Sequence, residues 1–489
     1  MQAPNVLLVV LDATRRDFCS CYGGAQKLTP ALDALAEEGV VFENAFAAAP
    51  WTLPAMASIL TGLPTSQNDV EAQRQLSPAI PTLAEQLRAA GYATWAITKN
   101  SWFSAEFGLT RGFDTVYKLW QLFQTDTDLT EVSLSNAYPG ERLLVSAAKR
   151  ALEGNWAKNV LNLVSGRIKV IRNTDYGARR TLKPAQQWIG GQSGPWFALV
   201  HYLEAHLEYK PPASWAKRYT DNWPLAQKLL AADQLRLCYR HITGAERLNE
   251  EELRVWGQLY AAEVAYQDHA LGRLIDWLRQ SGRLDDTLVI VVADHGESLG
   301  EQGLLNHLYG LYDPLIHVPL VMRGPGVRRG QRVSGLVQTS DIYGTVLSAA
   351  GIATASDRPS LLDEVAQRDF VVSEYGQPRM PRRDLLDRFA LQESHFAPYM
   401  RSLTAIRTAQ HKLITGSDGG VEFYDLIDDA AESTNLAATS AATAEIQRLQ
   451  TLLHAWQDDA RVSAADESSM PVEIDPAVEA QLKALGYLD

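Results

Sequence analysis

The stretch NVLLVVLDATRRD, residues 5–17, decides the fold class, because an unbroken aliphatic run leads directly into an aspartate. A continuous run of β-branched and aliphatic residues is typical of a strand that is buried on both faces, as in a parallel sheet. Asp12 stands immediately after this predicted strand. Because ligand sites of α/β proteins lie at the carboxyl ends of their strands, Asp12 is a candidate site residue.

Further along the chain, stretches with helical spacing alternate with short apolar runs. The helical stretches carry start and stop signals, such as Pro30 directly after Thr29 and a glycine at position 282. The predicted elements are strand 5–11, helix 29–38, strand 40–47, a helix from residue 52, a helix and a strand within 82–100, strand 195–206, helix 260–282 and strand 286–293. This alternation predicts an α/β fold with a doubly wound, mostly parallel sheet.

The pattern changes twice along the chain, which predicts the domain organisation. Residues of about 120–189 form amphipathic stretches and polar loops, and we interpret them as a helical insert in a first domain of residues 1–355. After that point, alternating runs at 405–414 and 421–429 are typical of antiparallel strands. Residues 356–489 are therefore predicted to form a small α+β subdomain with an antiparallel sheet and a closing helix at 475–488.

Composition excludes several classes of function. The formal net charge of -13 argues against a nucleic-acid partner, which a basic surface would favour. Three cysteines, Cys19, Cys21 and Cys238, are too few for a disulfide framework and lack zinc-site spacing, so we expect free thiols in a reducing compartment. No segment approaches the roughly 18 apolar residues of a membrane span. We therefore predict a soluble, cytoplasmic protein.

Three strand or helix ends carry side chains that can bind a cation. Asp12 follows the first strand, Thr52 begins a helical run, and Asp294 and His295 follow a late strand. In a doubly wound sheet these ends converge, and the set of oxygen and nitrogen donors suits a hard or borderline divalent cation. Each residue alone has a simpler explanation, since an aspartate at a strand end is often a turn residue and Thr52 could be a helix N-cap. A cation bound to Thr52 would instead make its hydroxyl a nucleophile.

Seven segments in order resemble the landmarks of one family. They are residues 5–17, 49–67 (APWTLPAMASILTGLPTSQ), 91–114, 286–303 (DTLVIVVADHGESLGEQG), 317–326, 405–436 and 482–488 (LKALGYL). Together they resemble the sulfatase branch of the alkaline phosphatase superfamily. The resemblance implies an α/β/α sandwich, a metal held by Asp12, Asp294 and His295, and a nucleophile at Thr52. From the placement of the side chains we predict that Thr52 contacts the metal as well.

The chain also departs from the sulfatase pattern at three positions. Thr52 stands where sulfatases have the cysteine or serine that becomes formylglycine, and a threonine carbinol would oxidise to a ketone instead. Met56 replaces the arginine of the motif, and Ala13 replaces a second aspartate ligand. Loss of that carboxylate and the presence of His295 favour Mn²⁺ or Zn²⁺, with Ca²⁺ and Mg²⁺ as alternatives. Relatives with threonine at this position resemble phosphodiesterases, phosphonate monoester hydrolases and phospho-group transferases.

Further candidates surround this centre. The resemblance places His206 towards the substrate and His307 near the leaving group, where it could donate a proton. Lys99 and Asn100 end a predicted strand and could bind a non-bridging oxygen. His206, at the end of a buried strand, could instead be a structural residue, and Lys99 could be a solvated surface residue. Glu204 lies beside His206 in sequence, while two further glutamates, Glu297 and Glu301, are interpreted as groups that order a loop.

The sequence thus predicts a metal-dependent hydrolase of phosphodiesters or phosphonate monoesters that forms a covalent intermediate on Thr52. The alternatives are a sulfate-ester hydrolase that uses Thr52 without formylglycine, a phospho-group transferase, or a binding protein that kept the fold. The expected partner is a small-molecule ester, with no nucleic acid and no membrane span. A homo-oligomer remains open, and the insert at about 120–189 is expected to shape the substrate pocket.

Overall fold

The computed structural model describes residues 3–119, 121, 177–353, 358–363, 368–464 and 470–471. The predicted closing helix at 475–488 and most of the predicted insert lie outside these residues. Within the described residues, no helix combines the length and the apolar character needed to cross a bilayer.

A nine-stranded, mostly parallel sheet forms the centre of the molecule. Its strands, in chain order, are β1 Asn5–Leu11, β2 Val40–Phe46, β3 Ala93–Thr98, β4 Thr115–Lys118, β5 Trp196–Tyr202, β6 Thr287–Val292, β7 His317–Val318, β8 Leu320–Arg323 and β9 Gln331–Gln338. The spatial order is β7-β2-β8-β6-β1-β5-β3-β4, with β9 paired to β2. Strands β6, β1, β5, β3 and β4 run parallel, whereas β8 is antiparallel to both β6 and β2.

The central strands are buried on both faces, as their continuous apolar sequence predicts. Their register aligns the carboxyl ends, since Leu11 of β1 lies opposite Tyr202 of β5 and Val10 lies opposite Val292 of β6. The residues that follow each strand therefore meet at one edge of the sheet. This edge is where the sequence places Asp12 and Asp294.

Helices flank the sheet and supply further residues to this edge. The helices of seven or more residues are α1 Pro30–Glu38, α2 Thr52–Thr61, α3 Leu83–Ala89, α4 Ala178–Gly190, α5 Ala213–Tyr219, α6 Trp223–Ala231, α7 Gln234–Ile242, α8 Glu250–Gln280, α9 Asp341–Ala349, α10 Arg383–Phe389 and α11 Thr443–Ala464. Helix α8 begins ten residues earlier than its apolar spacing predicts, at a capping box formed by Asn249 and Glu252. All ten residues of α2 are buried.

The predicted C-terminal antiparallel sheet is present. Its four strands, in both sequence and spatial order, are β10 Val371–Tyr375, β11 Leu403–Arg407, β12 His411–Gly416 and β13 Val421–Asp425. One face packs on α11, and the other joins the main hydrophobic core, as period-two alternation allows.

The first strand of this sheet also contacts the chain that leads to α2. The Ser373 hydroxyl donates to the carbonyl of Ala47 at 2.6 Å, and the Glu374 amide donates to the carbonyl of Ala48 at 2.8 Å. The C-terminal sheet therefore supports the segment directly before Thr52.

Candidate active site

The four predicted metal-binding residues meet at the carboxyl edge of the sheet, and we call them the catalytic cluster: Asp12, Thr52, Asp294 and His295. Ligand atoms of Asp12, Asp294 and His295 lie within 4.8 Å of one another, and all three side chains are buried. His295 Nε2 is 3.2 Å from the Thr52 hydroxyl and 3.6 Å from one oxygen of each carboxylate. The strand ends therefore converge as the sequence predicts.

Thr52 is the first residue of α2 and does not act as its N-cap. The N-cap is Trp51, whose extended backbone precedes the helix and which makes no side-chain cap hydrogen bond. The Thr52 hydroxyl instead lies between His295 Nε2 and the side-chain amide of Asn100, which is also 3.2 Å away. At a helix N-terminus, partial positive charge favours an anionic oxygen. The geometry thus favours a chemical role for this hydroxyl over a capping role.

Each carboxylate of the cluster uses one oxygen for the protein and leaves the other without a hydrogen bond. Asp294 Oδ1 accepts the amide N–H groups of His295 and Ala13, at 2.9 and 3.3 Å. Asp12 Oδ2 accepts the Asn100 amide at 2.8 Å and lies 3.1 Å from His201 Nε2. The other oxygens, Asp12 Oδ1 and Asp294 Oδ2, are buried and have no hydrogen-bond partner.

Ala13 lies in the turn after β1, and this turn directs its backbone amide to Asp294. Ala13 adopts a left-handed backbone conformation, with a φ angle of 53°. The Tyr260 hydroxyl holds the turn, since it donates to the Ala13 carbonyl and accepts from the Arg15 amide, both at 2.8 Å. The residue that replaces a second aspartate thus contributes a backbone donor to Asp294.

Electrostatics at the cluster favour a bound cation. Burial and the negative charge of Asp12 raise the pKa of Asp294 well above its usual range. Burial also raises the pKa of Asp12, but the hydrogen bond from His201 and the nearby imidazoles outweigh it and lower that pKa to about 2. Burial lowers the pKa of His295, which favours the neutral ring that a metal needs. Two close carboxylates with unpaired oxygens therefore fit a divalent ion.

The orientation of His295 also suits metal binding. Its Nδ1 lies 2.8 Å from the carbonyl of Gly296, so Nδ1 carries the proton and Nε2 presents a lone pair to the cluster.

Two more predicted histidines lie beside the cluster. The rings of His295 and His307 are 4.5 Å apart, and those of His307 and His206 are 4.8 Å apart. His307 Nδ1 is 3.4 Å from the carboxyl of Glu297, and His206 Nδ1 bonds the carbonyl of Leu207. Burial lowers the pKa of both rings, so both are neutral near pH 7.

The other candidates lie further from the cluster or support it. Lys99 is partly exposed, with its aliphatic stem near Gly177 before α4. The Glu204 carboxylate accepts the amide of Ala178 at 2.6 Å and so anchors the start of α4. Glu301 pairs with the buried Arg15 at 2.6 Å, which agrees with a role in ordering the loop.

Sequence reasoning missed two residues that contact the site. His201 lies inside the apolar strand β5 one residue before its end, and that position was its only signal. Arg379 comes from the loop after β10, and its guanidinium carbon lies 3.9 and 4.6 Å from the ring centroids of Trp51 and Trp102. The hydroxyl of Tyr309 donates to the Arg379 carbonyl at 2.8 Å. No local sequence pattern links Arg379 to Thr52.

Comparison with known proteins places the chain among ester hydrolases. The family model described as Sulfatase matches residues 4–352. The choline-sulfatase of Rhizobium meliloti (strain 1021) is 26% identical over 462 residues, which cover 89% of this chain and 82% of that protein. Arylsulfatase K of Canis lupus familiaris is 27% identical over 450 residues, covering 89% of this chain and 79% of that protein.

Solved structures of both ester classes share the fold. The phosphonate monoester hydrolase of Agrobacterium radiobacter superposes with a TM-score of 0.66 at 23% identity, covering 94% of this chain and 96% of that one. A 2-O GAG sulfatase superposes with the same TM-score at 18% identity, covering 98% and 96% of the two chains. At these identities the likeness concerns the fold alone.

Proposed function

The chain belongs to the sulfatase family and is an ester hydrolase, and from that premise we propose that it cleaves phosphodiesters or phosphonate monoesters through a covalent intermediate on Thr52. The observation that carries the proposal is the position of the Thr52 hydroxyl, 3.2 Å from His295 Nε2 and buried at the start of α2. A threonine cannot supply the aldehyde of formylglycine. Direct attack by its oxygen is the remaining route to a covalent intermediate.

Asp12, Thr52, Asp294 and His295 would hold the divalent cation. The mixed oxygen and nitrogen donors favour Mn²⁺ or Zn²⁺ over Ca²⁺ or Mg²⁺. When bound, the cation would offset the two carboxylates and lower the pKa of the threonine hydroxyl. The two buried oxygens without hydrogen-bond partners support this assignment.

The chain's own residues divide the remaining work. Asn100 donates to both Asp12 and Thr52, so we assign it the orientation of the nucleophile, which differs from the substrate contact expected for it from sequence. Thr52 gives up its hydroxyl proton to solvent, and its Oγ forms a bond to phosphorus while the bond to the leaving oxygen breaks. His206 or His307 is the candidate proton donor to this oxygen, and because burial favours the neutral ring, the ring takes up that proton from solvent before it passes it on. Water then cleaves the bond between Thr52 and phosphorus. Lys99 is the further candidate for a contact to a non-bridging oxygen.

Charge favours monoanionic esters over dianionic ones. A phosphomonoester carries close to two negative charges near neutral pH, whereas a diester or phosphonate monoester carries one. One dication beside two carboxylates leaves little positive potential for a dianion. We therefore expect phosphodiesters or phosphonate monoesters to be hydrolysed faster than phosphomonoesters.

The closest alternative is a sulfate ester, which is also a monoanion and which the names of the sulfatase relatives favour. A phospho-group transferase is a second alternative, with an alcohol in place of water in the second step. We also propose a small-molecule substrate and a cytoplasmic location, which the three free cysteines support. A homo-oligomer is compatible with this proposal.

A panel of aryl esters separates these alternatives. Protein stripped of metal and reloaded with Mn²⁺ or Zn²⁺ is given a phosphodiester, a phosphonate monoester, a phosphomonoester and a sulfate with the same leaving phenol. After an acid quench, the protein is digested, and mass spectrometry of the peptides tests for a phosphoryl or phosphonyl adduct on the peptide that contains Thr52. The proposal fails if the sulfate is the best substrate by a wide margin, or if turnover proceeds with no adduct on this peptide.

A further inference from the structure

One histidine that the proposed chemistry does not use contacts a cluster carboxylate. We propose that His201 is a positioning residue that holds one oxygen of Asp12, so that the other oxygen is presented to the cation. His201 thereby sets the affinity of the site for its cation. This inference rests on the proposed function only in that Asp12 is taken as a ligand, and it is independent of the ester class.

His201 lies where its ring must face Asp12. It is the sixth residue of β5 and lies opposite Val10 in the register with β1, so its strand neighbour is two residues before Asp12. Its Nε2 is 3.1 Å from Asp12 Oδ2, and both side chains are wholly buried. A polar ring is costly at such a position in the core, and the nearby carboxylate of Asp12 offsets part of this cost.

The contact gives the two carboxylate oxygens of Asp12 different surroundings. Oδ2 lies within hydrogen-bond distance of His201 Nε2 and of the Asn100 amide, whereas Oδ1 has no hydrogen-bond partner and lies 3.6 Å from His295 Nε2. Rotation of the carboxylate would break both contacts to Oδ2. His201 and Asn100 therefore fix which oxygen faces the other cluster residues.

One hydroxyl holds both donors in place. Thr98 Oγ1 accepts the backbone amide of Asn100 at 2.9 Å and lies 3.4 Å from His201 Nδ1. The Thr98 hydroxyl donates its proton to the Asn100 carbonyl at 3.3 Å. Because the Asp12 carboxylate can only accept, a hydrogen bond from His201 to Asp12 requires the ring proton on Nε2. A flipped ring would place carbon atoms against both Asp12 and Thr98. Thr98, at the end of β3, thus links the donors from β3 and β5.

The arrangement acts on binding rather than on bond cleavage. The contacts that fix the His201 ring are to Asp12 and Thr98, while Thr52 is oriented by Asn100 and His295. Partners that orient a ligand typically change metal affinity by about 10- to 100-fold. We expect His201 to affect the dissociation constant of the cation and to leave kcat at saturating cation within about fivefold.

The test measures cation binding with no substrate present. Metal-free protein is titrated with Mn²⁺ and with Zn²⁺ by isothermal calorimetry for the wild type, His201→Phe and His201→Gln. The phenylalanine variant keeps the ring volume without the donor, and we expect its dissociation constant to rise about 10- to 100-fold. The glutamine variant keeps an N–H donor, and we expect its affinity to stay within about threefold of the wild type.

His411→Phe is the matched control. His411 lies in β12, and its Nδ1 is 3.1 Å from a carboxylate oxygen of Glu445 in α11, so the variant removes a partly exposed contact between a histidine and a carboxylate outside the site. Its cation affinity should equal that of the wild type. The proposal is overturned if His201→Phe binds Mn²⁺ and Zn²⁺ as the wild type does, or if His201→Gln is as weak as His201→Phe.

A second variant keeps the test decisive if His201→Phe does not fold. Thr98→Val removes the hydroxyl that fixes the ring, and we expect a dissociation constant about 3- to 10-fold higher. Unchanged affinity in this variant would also contradict the proposal. Because calorimetry uses the cation alone, a wrong ester class leaves this result intact, while the adduct experiment tests the ester class without reference to His201.

Discussion

Two clusters of buried carboxylates among the described residues are neutralised differently. The first is the catalytic cluster. The second lies between the large sheet and the C-terminal sheet, and we call it the junction cluster: Asp313, Arg407, Lys412 and Glu432. The wholly buried ammonium of Lys412 contacts Asp313 and lies 2.6 Å from Glu432, and Arg407 is 3.3 Å from Asp313.

The difference gives a physical reason for the cation that we propose at the catalytic cluster. Among the described residues, Asp12 and Asp294 form no ion pair with a lysine or an arginine, and their nearest nitrogens belong to imidazoles and amides. A buried charge without a counter-charge is costly, so the chain either takes up a cation or holds a proton there. In the junction cluster the counter-charges are the side chains of Lys412 and Arg407, whereas the catalytic cluster would be balanced by a proton or by the cation proposed above.

The largest expected effect is the loss of activity when the Thr52 hydroxyl of the catalytic cluster is removed. We expect Thr52→Ala to lower kcat/KM for the best ester by about 10³- to 10⁵-fold, because the nucleophile is removed, and Thr52→Ser to keep part of the rate. Steady-state kinetics with saturating Mn²⁺ measure this. The control is Thr61→Ala in the same helix, where the buried hydroxyl donates to the Ala57 carbonyl at 2.7 Å and accepts the Leu63 amide at 3.3 Å. Near-native turnover by Thr52→Ala would contradict the role of Thr52 as the nucleophile.

The next effect concerns the internal cation of the junction cluster. Lys412→Met leaves Asp313 and Glu432 buried without their ammonium, and we expect a loss of about 3–5 kcal/mol in the free energy of unfolding. Urea denaturation of the metal-free protein measures it. Lys228→Met is the control, because its pair with Glu252 at 3.1 Å is exposed on the lysine side and should contribute less than about 1 kcal/mol. Equal losses in the two variants would contradict the role of Lys412.

Glu432 makes the junction cluster sensitive to pH. Burial raises its pKa from 4.5 to about 7, although Lys412 opposes the shift. The native state therefore binds this proton more tightly than the unfolded state. Its stabilisation is present below about pH 4.5 and is lost as the pH rises through 7.

We expect the free energy of unfolding to fall by about 2 kcal/mol from this group between pH 5 and pH 8. Glu432→Gln should remove this part of the slope while it keeps an acceptor for the Asp313 amide. Denaturation curves at several pH values provide the measurement. Identical slopes for the two proteins would show that Glu432 does not titrate in this range.

The smallest expected effect tests whether the two carboxylates of the catalytic cluster lower the free energy of unfolding of the cation-free protein. Asp294→Asn keeps an oxygen for the amides of Ala13 and His295 but removes the repulsion with Asp12. In the presence of a chelator, we expect this variant to be about 1–2 kcal/mol more stable than the wild type. Its stabilisation by added Mn²⁺ should fall at the same time. A variant that is less stable in chelator, or that gains as much from Mn²⁺, would contradict the comparison.

The members of the catalytic cluster could be predicted from the sequence because they stand directly after a strand or at the start of a helix. The apolar runs before Asp12 and Asp294 fix the strands, and parallel strands place their carboxyl ends at one edge. The position of Thr52 before an apolar helical run was equally clear, although the sequence alone could not distinguish a nucleophile from an N-cap. The structure gives the N-cap to Trp51, and the role of Thr52 as a nucleophile stays a proposal. The hydrogen bonds made by Asn100 depend on the pairing of β3 with β5 and of β5 with β1.

The residues that sequence reasoning missed depend on contacts between distant segments. His201 looks like one more residue of a buried strand, and only its register against β1 reveals the contact with Asp12. Lys412 and Glu432 are typical surface residue types, yet they are buried where two sheets meet. Such burial follows from docking of the two sheets, which no local pattern encodes.

The hydrogen bonds from Ser373 and Glu374 to Ala47 and Ala48 have a consequence for biosynthesis. A nascent chain on the ribosome presents the segment before Thr52 early, but the two donors that this segment needs are translated much later. Domains generally fold as their residues emerge, amino-terminal parts first. The large sheet can therefore assemble while the backbone that leads to the nucleophile still lacks two of its partners. We therefore expect the segment that leads to Thr52 to reach its full set of hydrogen bonds only after residues 373 and 374 have left the ribosome.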